Sequence, residues 1–272
     1  MTDRYAVFGN PVAQTKSPAI HNAFAGQFGD DLSYVAIKAP LDGFAERVRR
    51  FIEEGGRGIN VTVPFKVEAE ALADESREAA AICGAANCLK FENGTIIAEN
   101  FDGVGLVRDI EANLGLKLKG KNVLFAGAGG ATRGAIVPFL EAGVAEITIA
   151  NRTVSNAEKI RDMLGPRGSL HACGYEDLSQ SYDVVLNGTS ASLSGDLPAI
   201  PSVVFEKAEL AYELAYGKGK TPFLQLAEEC GAARIVDGVG MLVEQAAEAY
   251  HWWRDKRPDT APVIKTLTIP LK

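Results

Sequence analysis

The sequence predicts an α/β chain of two domains, the second built on a doubly wound parallel sheet. Three observations lead there. Short β-branched runs alternate with amphipathic helical stretches along most of the chain. The alternation pauses over residues 116–121 and restarts at Asn122. A glycine-rich turn, Gly127-Ala128-Gly129-Gly130, then joins the first strand of the restart to a helix. At 272 residues the chain is long enough for two modest cores.

The first domain, assigned to residues 1–103, opens with a strand over 5–9. Ser17-Pro18 marks a helix start, with Ser17 as N-cap and proline at the first helical position. Ile20, Phe24 and Phe28 follow at helical spacing. Residues 32–38 read as the second strand. The stretch 42–54 is an amphipathic helix with Phe44, Val48, Phe51 and Ile52 on its apolar stripe, ended by Gly55. Residues 59–63 form the third strand, and alanine-rich helical stretches cover 69–72 and 79–82. Strands over 88–91 and 95–98 flank Asn93-Gly94, a dipeptide suited to a tight hairpin. The outcome is a mostly parallel sheet with one hairpin.

Residues 102–114 read as a helix leaving this domain, and 116–121 as a linker. The second domain, assigned to residues 104–239, runs through strand 123–126, the glycine turn, a helix and strand 146–150. Further strands fall at 183–187, 209–214 and 234–236, with Pro198 and Pro201 marking a loop. Residues 240–254 form a helix with Leu242, Ala246, Ala249, Tyr250 and Trp253 on its apolar side. That helix opens a C-terminal helical segment over 240–272.

Composition excludes several classes. The formal charge is -7, so no basic surplus exists to neutralise phosphates and no nucleic-acid partner is expected. The amino terminus runs straight into a strand without a signal-like segment. No apolar run approaches the roughly 20 residues that cross a bilayer, so no membrane partner is expected. Cys83, Cys88, Cys173 and Cys230 contain no C-x-x-C pair, and His21, His171 and His251 are scattered, so no metal site is expected. Such thiols suit a reducing compartment, and the expected location is the cytoplasm.

Two runs carry candidate proton chemistry. Asn60-Val61-Thr62-Val63-Pro64-Phe65-Lys66 leaves a strand, breaks at proline and presents Lys66 at a helix start. Glu99-Asn100-Phe101-Asp102-Gly103-Val104-Gly105-Leu106 supplies Asp102 at another strand end. A lysine acts as general base when neighbours and burial tune it, and a hydrogen-bonded aspartate orients it. The competing interpretation is a surface lysine at a turn and an aspartate N-capping the next helix.

The glycine turn carries candidate cofactor chemistry. Backbone N–H groups at that helix start can approach a pyrophosphate. Thr132 stands at the third glycine position of strict G-x-G-x-x-G, with Gly134 two residues on as the substitute that allows close packing. Roughly 20 residues past the glycines the next strand ends in Asn151-Arg152-Thr153. An acidic residue there would hold the ribose of NAD and repel a 2′-phosphate. Arg152 instead can pair with a phosphate and stack on adenine, while Asn151 and Thr153 can donate hydrogen bonds. NADP is the predicted cofactor.

Further runs complete a pattern: Gly9-Asn10-Pro11-Val12-Ala13-Gln14-Thr15-Lys16-Ser17-Pro18, Ala86-Asn87, Lys218-Gly219-Lys220-Thr221-Pro222-Phe223, and 237–247 from Asp237-Gly238 to Ala246-Ala247. Taken in order with the motifs above, they make the chain resemble the shikimate dehydrogenase family almost end to end. The resemblance implies an N-terminal substrate domain and a Rossmann-like dinucleotide-binding domain, with the C-terminal helix returning to the first domain and the cleft between the two. It implies reversible hydride transfer between NADPH and the 3-keto group of 3-dehydroshikimate, with shikimate as the alcohol. Lys66 would be the acid–base group and Asp102 its orienting partner. Thr15 and Ser17 would grip the substrate carboxylate; Thr62, Asn87 and Gln245 would read its ring hydroxyls; Tyr216 would line the pocket. NADP would contact Gly127, Ala128, Gly129, Gly130, Ala131, Asn151, Arg152, Thr153, Asn156, Leu214 and Gly238. The chain would act as a monomer or a homodimer.

Several positions depart from the family pattern. Thr15 stands where serine is common, Glu99 and Phe101 where Asp and Thr are usual, and Cys88 where threonine is common. Asn156 stands where many NADP-using members carry a second arginine. Those at Thr15, Glu99, Phe101 and Cys88 spare Lys66 and Asp102 but cluster around the substrate, as in a divergent paralogue. Two alternatives stay open: a quinate or quinate/shikimate dehydrogenase, and a ligand-sensing homologue without turnover. Retention of both Lys66 and Asp102 weighs against the second.

Overall fold

Six early strands build one sheet and six later strands build another in the computed structural model, which describes residues 2–189, 191, 195–217 and 219–271. Lys218 of the 218–223 motif lies outside the described residues. Two units divide the chain, residues 1–105 with 243–265 and residues 106–242 with 266–272.

In the first unit β1 (Asp3–Gly9), β2 (Leu32–Lys38), β3 (Gly56–Val61), β4 (Glu75–Ser76), β5 (Cys88–Glu92) and β6 (Thr95–Glu99) are ordered β2-β1-β3-β5-β6-β4. β1 pairs in parallel with β2 and β3, whereas β5 runs antiparallel to β3 and to β6. It follows that β1, β3 and β6 end, and β5 begins, at one edge of the sheet. Everything chemically distinctive in this unit gathers there. β3 starts earlier than the sequence suggested and stops at Val61, ahead of Pro64, which has no N–H to give a ladder. The hairpin is as expected: Asn93 and Gly94 both take positive φ, 53° and 82°, as a tight primed turn requires.

The helices of this unit are α1 (Ser17–Phe28), α2 (Phe44–Glu53), α3 (Lys66–Leu72) and α4 (Glu78–Cys83). Phe8, Phe44, Phe51 and Phe65 fill the core on one side of the sheet. The start of α1 differs from the expectation. Lys16 is the N-cap and Ser17 the first helical residue. The reason is local: the Thr15 hydroxyl accepts the Ser17 N–H at 3.3 Å, so the Ser17 side chain is not needed as a cap.

Helix α5 (Asp102–Arg108) carries the chain from the first unit into the second and runs on as a π-helical turn over Asp109–Asn113. The second sheet holds β7 (Asn122–Ala126), β8 (Glu146–Ala150), β9 (Leu170–Cys173), β10 (Val184–Asn187), β11 (Leu210–Glu213) and β12 (Ile235–Val236). Their order is β12-β11-β10-β7-β8-β9 and every pairing is parallel. The order reverses between β7 and β10, the crevice where doubly wound sheets bind ligands at their carboxyl ends. Helices α6 (Gly130–Glu141), α7 (Val154–Leu164) and α8 (Pro222–Glu229) complete the crossovers.

Helices α9 (Val239–Arg254) and α10 (Ala261–Leu267) follow. The apolar stripe expected on α9 is too narrow: residues 243–250 are all buried, Glu244, Gln245 and Glu248 among them. Burial of the acids is possible because each is paired. Arg257 donates twice to Glu248, at 2.8 and 2.7 Å, and the Thr260 hydroxyl donates to Glu244 at 2.6 Å. Among the described residues no helix is long and apolar enough to cross a membrane.

Candidate active site

Lys66 opens α3 just beyond β3, and Asp102 opens α5 just beyond β6, at the same edge of the first sheet. Lys66 Nζ donates to Asp102 Oδ2 at 2.6 Å. The other carboxylate oxygen accepts from Asn87 Nδ2 at 2.7 Å. Both oxygens of Asp102 are thus committed to side chains, and its role is not that of a helix cap. Asn100 fixes it from behind: Asn100 Oδ1 accepts the Asp102 N–H at 3.1 Å while Asn100 Nδ2 donates to the Ala85 carbonyl at 2.9 Å.

Asn87, at the start of β5, is the hub. Besides holding Asp102 it donates to Gln245 Oε1 at 3.1 Å and accepts the Phe101 N–H at 2.9 Å. Gln245 comes this close because Gly105 has no side chain: a Cβ there would stand 2.7 Å from the Gln245 nitrogen. On the loop after β1, the hydroxyl of Thr15 donates to that of Ser17 at 3.1 Å, a pair of hydroxyls able to meet a carboxylate. Thr62 is partly exposed beyond β3, its N–H bonded to the Phe8 carbonyl at 2.9 Å. Thr15, Ser17, Thr62, Lys66, Asn87, Asp102 and Gln245 therefore all lie in the first unit; Tyr216 lies in the second, beyond β11, and is exposed.

The departures from the family pattern have physical consequences. Phe101 docks edge-on against Trp252 with ring centres 5.7 Å apart, and the Arg77 guanidinium lies 5.3 Å from the same indole. Glu99 and Cys88 are cross-strand partners and both are buried. Burial pushes the Glu99 carboxyl up, opposed by the Asn100 N–H it accepts and by Arg77. Burial, with the nearby Glu99 charge added, pushes the Cys88 thiol well up.

In the second unit the glycine turn follows β7. Gly127 takes φ 97°, and a Cβ there would come within 3.0 Å of Thr189 and 3.1 Å of Gly188. Gly129 is the N-cap of α6, which has no side-chain cap, and a Cβ on Gly130 would meet nothing within 4 Å. Ala131, next along, is partly exposed. The first turn of α6 thus offers open space and uncapped N–H donors, a fit for an anionic pyrophosphate. Thr132 is fully buried, its hydroxyl without a hydrogen-bond partner, 2.8 Å from where a Cβ on Gly188 would stand. Gly188, on the turn after β10, is what admits the bulkier residue at the third glycine position.

At the end of β8, Asn151 Oδ1 accepts the Ala128 N–H at 3.2 Å and Asn151 Nδ2 donates to the Thr153 carbonyl at 2.9 Å. Asn151 thereby ties the glycine turn to the Asn151-Arg152-Thr153 run. Arg152, Thr153 and Asn156 are exposed. Beyond β11 the Leu214 N–H bonds to the Asn187 carbonyl at 3.0 Å, and the Gly238 N–H bonds to the Ala215 carbonyl at 3.1 Å. Sequence reasoning did not single out Asn60, Asn100 or Tyr34. Asn60 and Asn100 stand inside the two runs that carry Lys66 and Asp102, which was the available signal. Tyr34 has none, since it looks like any other aromatic residue within a strand.

Comparison with known proteins settles the family. The model for the shikimate dehydrogenase substrate binding domain matches residues 7–89, that for shikimate/quinate 5-dehydrogenase matches 109–194, and that for the shikimate 5′-dehydrogenase C-terminal domain matches 238–268. A shikimate dehydrogenase (NADP(+)) from Nitrosospira multiformis is 53% identical over 268 residues, covering 98% of each chain. The chain belongs to the shikimate dehydrogenase family. Among solved structures, an Ael1 enzyme from Pseudomonas putida superposes with a TM-score of 0.96 at 56% identity over the full length of both chains. The family member from Thermus thermophilus, solved in complex with NADP(H) and shikimate, superposes with a TM-score of 0.87 at 30% identity over 98% of each.

Proposed function

We propose that the protein interconverts shikimate and 3-dehydroshikimate with NADP as hydride carrier. The observation that supports this most is the Lys66–Asp102 pair at 2.6 Å, held through Asn87 to Gln245, in a family whose relatives bear the name of that reaction. The dinucleotide, when bound, accepts or supplies the hydride. Gly127 to Ala131 and the uncapped start of α6 suit its pyrophosphate, and exposed Arg152, with no acid beside it, suits the 2′-phosphate. Asn151, Thr153, Asn156, Leu214 and Gly238 complete the proposed cofactor contacts.

In the oxidation direction the substrate hydroxyl gives its proton to the Lys66 amine as the carbon-bound hydrogen leaves with its electron pair. In reduction the Lys66 ammonium returns that proton to the ketone oxygen. Asp102 holds Nζ in place, and Asn87 keeps the carboxylate from turning, so the proton acceptor is positioned before substrate arrives. Thr15 and Ser17 grip the carboxylate, while Thr62, Asn87 and Gln245 pair with ring hydroxyls and Tyr216 lines the pocket. A substrate lacking one of those hydroxyls would leave a polar group unpaired.

The packing of Phe101 on Trp252 favours one alternative, a related ring acid such as quinate, because a ring replaces the usual hydroxyl beside Asp102. Initial rates with shikimate and quinate, each against NADP and NAD, test the choice. The expected order has shikimate with NADP fastest. A preference for quinate or NAD moves the assignment to that substrate or cofactor, and no turnover with any pair leaves a ligand-sensing homologue. The proposed setting is the cytoplasm, with the chain acting as monomer or homodimer and without a nucleic-acid partner.

A further inference from the structure

Edge strand β2 of the first sheet bears no residue yet assigned to the site, but one of its side chains bonds to a neighbour of that site. Tyr34 lies on β2 and is 4% exposed. Its phenol donates to Asn60 Oδ1 at 2.7 Å. The Ser17 hydroxyl, which accepts from Thr15 at 3.1 Å, lies near the same phenol. On the far side, Asn60 Nδ2 reaches the Asn87 carbonyl at 3.4 Å, a carbonyl that also takes the Val61 N–H at 2.8 Å. The Asn87 amide then holds Asp102 and Gln245.

The Tyr34 ring cannot easily turn away from this chain of contacts. His21 stacks on it with ring centres 4.1 Å apart and planes 6° from parallel. Phe24, Tyr250 and Trp253 surround that histidine in turn, with centres 6.0, 6.2 and 5.5 Å away. In a close-packed interior such a ring has one rotamer. A serine hydroxyl rotates freely and an asparagine amide can flip, so each needs a fixed partner to hold one orientation. Tyr34 supplies that partner to the amide: as a donor it demands the Asn60 oxygen, which turns the Asn60 NH2 toward Asn87.

Resting on the assignment of the shikimate reaction, we propose that Tyr34 is a positioning residue for it. Its hydroxyl fixes the Asn60 amide against Asn87, the residue that holds the Lys66–Asp102 pair. It touches no reacting atom.

Tyr34→Phe tests this, because it deletes the hydroxyl and keeps the stack. Loss of a buried donor leaves the Asn60 oxygen to find a new orientation, and the KM for shikimate should rise about tenfold, with the KM for NADP unchanged. Tyr5→Phe is the control for losing a buried phenol. Tyr5 stacks on Trp253 at 4.8 Å in the same unit, and its phenol lies near Arg254. It should leave the shikimate KM at the wild-type value. A Tyr34→Phe enzyme with unchanged shikimate KM, or an equal rise in Tyr5→Phe, overturns the proposal. Should Tyr34→Phe fail to fold, Asn60→Ala removes the acceptor of the same bond, and an unchanged shikimate KM there overturns it equally. Wild-type protein without shikimate turnover would instead retire the reaction assignment, and the Tyr34 role with it.

Discussion

His21 should set the acid limit of this fold, and His21→Phe isolates its effect. The ring is 1% exposed, and its Nε2 has no hydrogen-bond partner. Burial holds its pKa down at about 3, against an ordinary 6.5, with a hydrogen bond to Asn60 opposing the shift only in part. An unfolded chain takes up this proton near pH 6.5, and the native chain resists until about pH 3. Between those limits the unfolded state binds the extra proton, so acid withdraws stability at ~1.4 kcal/mol per pH unit. Near pH 5 the loss reaches ~2 kcal/mol relative to neutral pH. Asp30 does not interfere. Burial raises it, but hydrogen bonds from Lys256 and Tyr250 hold it at about 2, so its contribution is lost only as pH falls through that lower range. Glu99 and Asp237, raised by burial, gain on acidification, but they are common to both proteins and cancel in the difference. Urea unfolding of wild type and His21→Phe at a series of pH values between 7.5 and 5 reads the effect. The wild type should lose ~2 kcal/mol more than the variant over that range. Parallel profiles would mean that His21 is not held neutral by burial.

Two further substitutions probe the substrate and cofactor assignments. Phe101→Thr replaces the ring docked on Trp252 with a hydroxyl and should raise turnover of shikimate or lower its KM; no change in either makes Phe101 neutral packing. Arg152→Ala should raise the KM for NADP by about tenfold while leaving that for NAD nearly unchanged, since a charge-assisted bond to the 2′-phosphate is lost, and an equal effect on both cofactors would place the arginine elsewhere.

What the sequence revealed and what it hid follow from the range of the forces involved. β2 was legible residue for residue, because a short run rich in strand-forming residues is a local signal, and the 93–94 turn was legible because two adjacent residues with positive φ suffice to make it. The start of α1 was misplaced by one residue, because Thr15 competes with Ser17 for the same role two positions away. The burial of Glu244 and Glu248 was not legible at all. Their partners, Thr260 and Arg257, lie 16 and 9 residues further on, beyond any helical period. Asn87 stood out only by resemblance to a family, since its contacts to Asp102 and Gln245 span 15 and 158 residues. Tyr34 shows the same limit: a tyrosine within a strand does not announce what its hydroxyl meets.

The central claim is that Lys66 moves the proton in an NADP-linked oxidation of shikimate. Steady-state turnover of Lys66→Ala with shikimate and NADP tests it most directly, alongside circular dichroism to verify the fold. Turnover should fall by ~100-fold or more, as for loss of a proton-transfer group, with the fold and the KM for NADP unchanged. Near-wild-type turnover in a folded Lys66→Ala protein would contradict it.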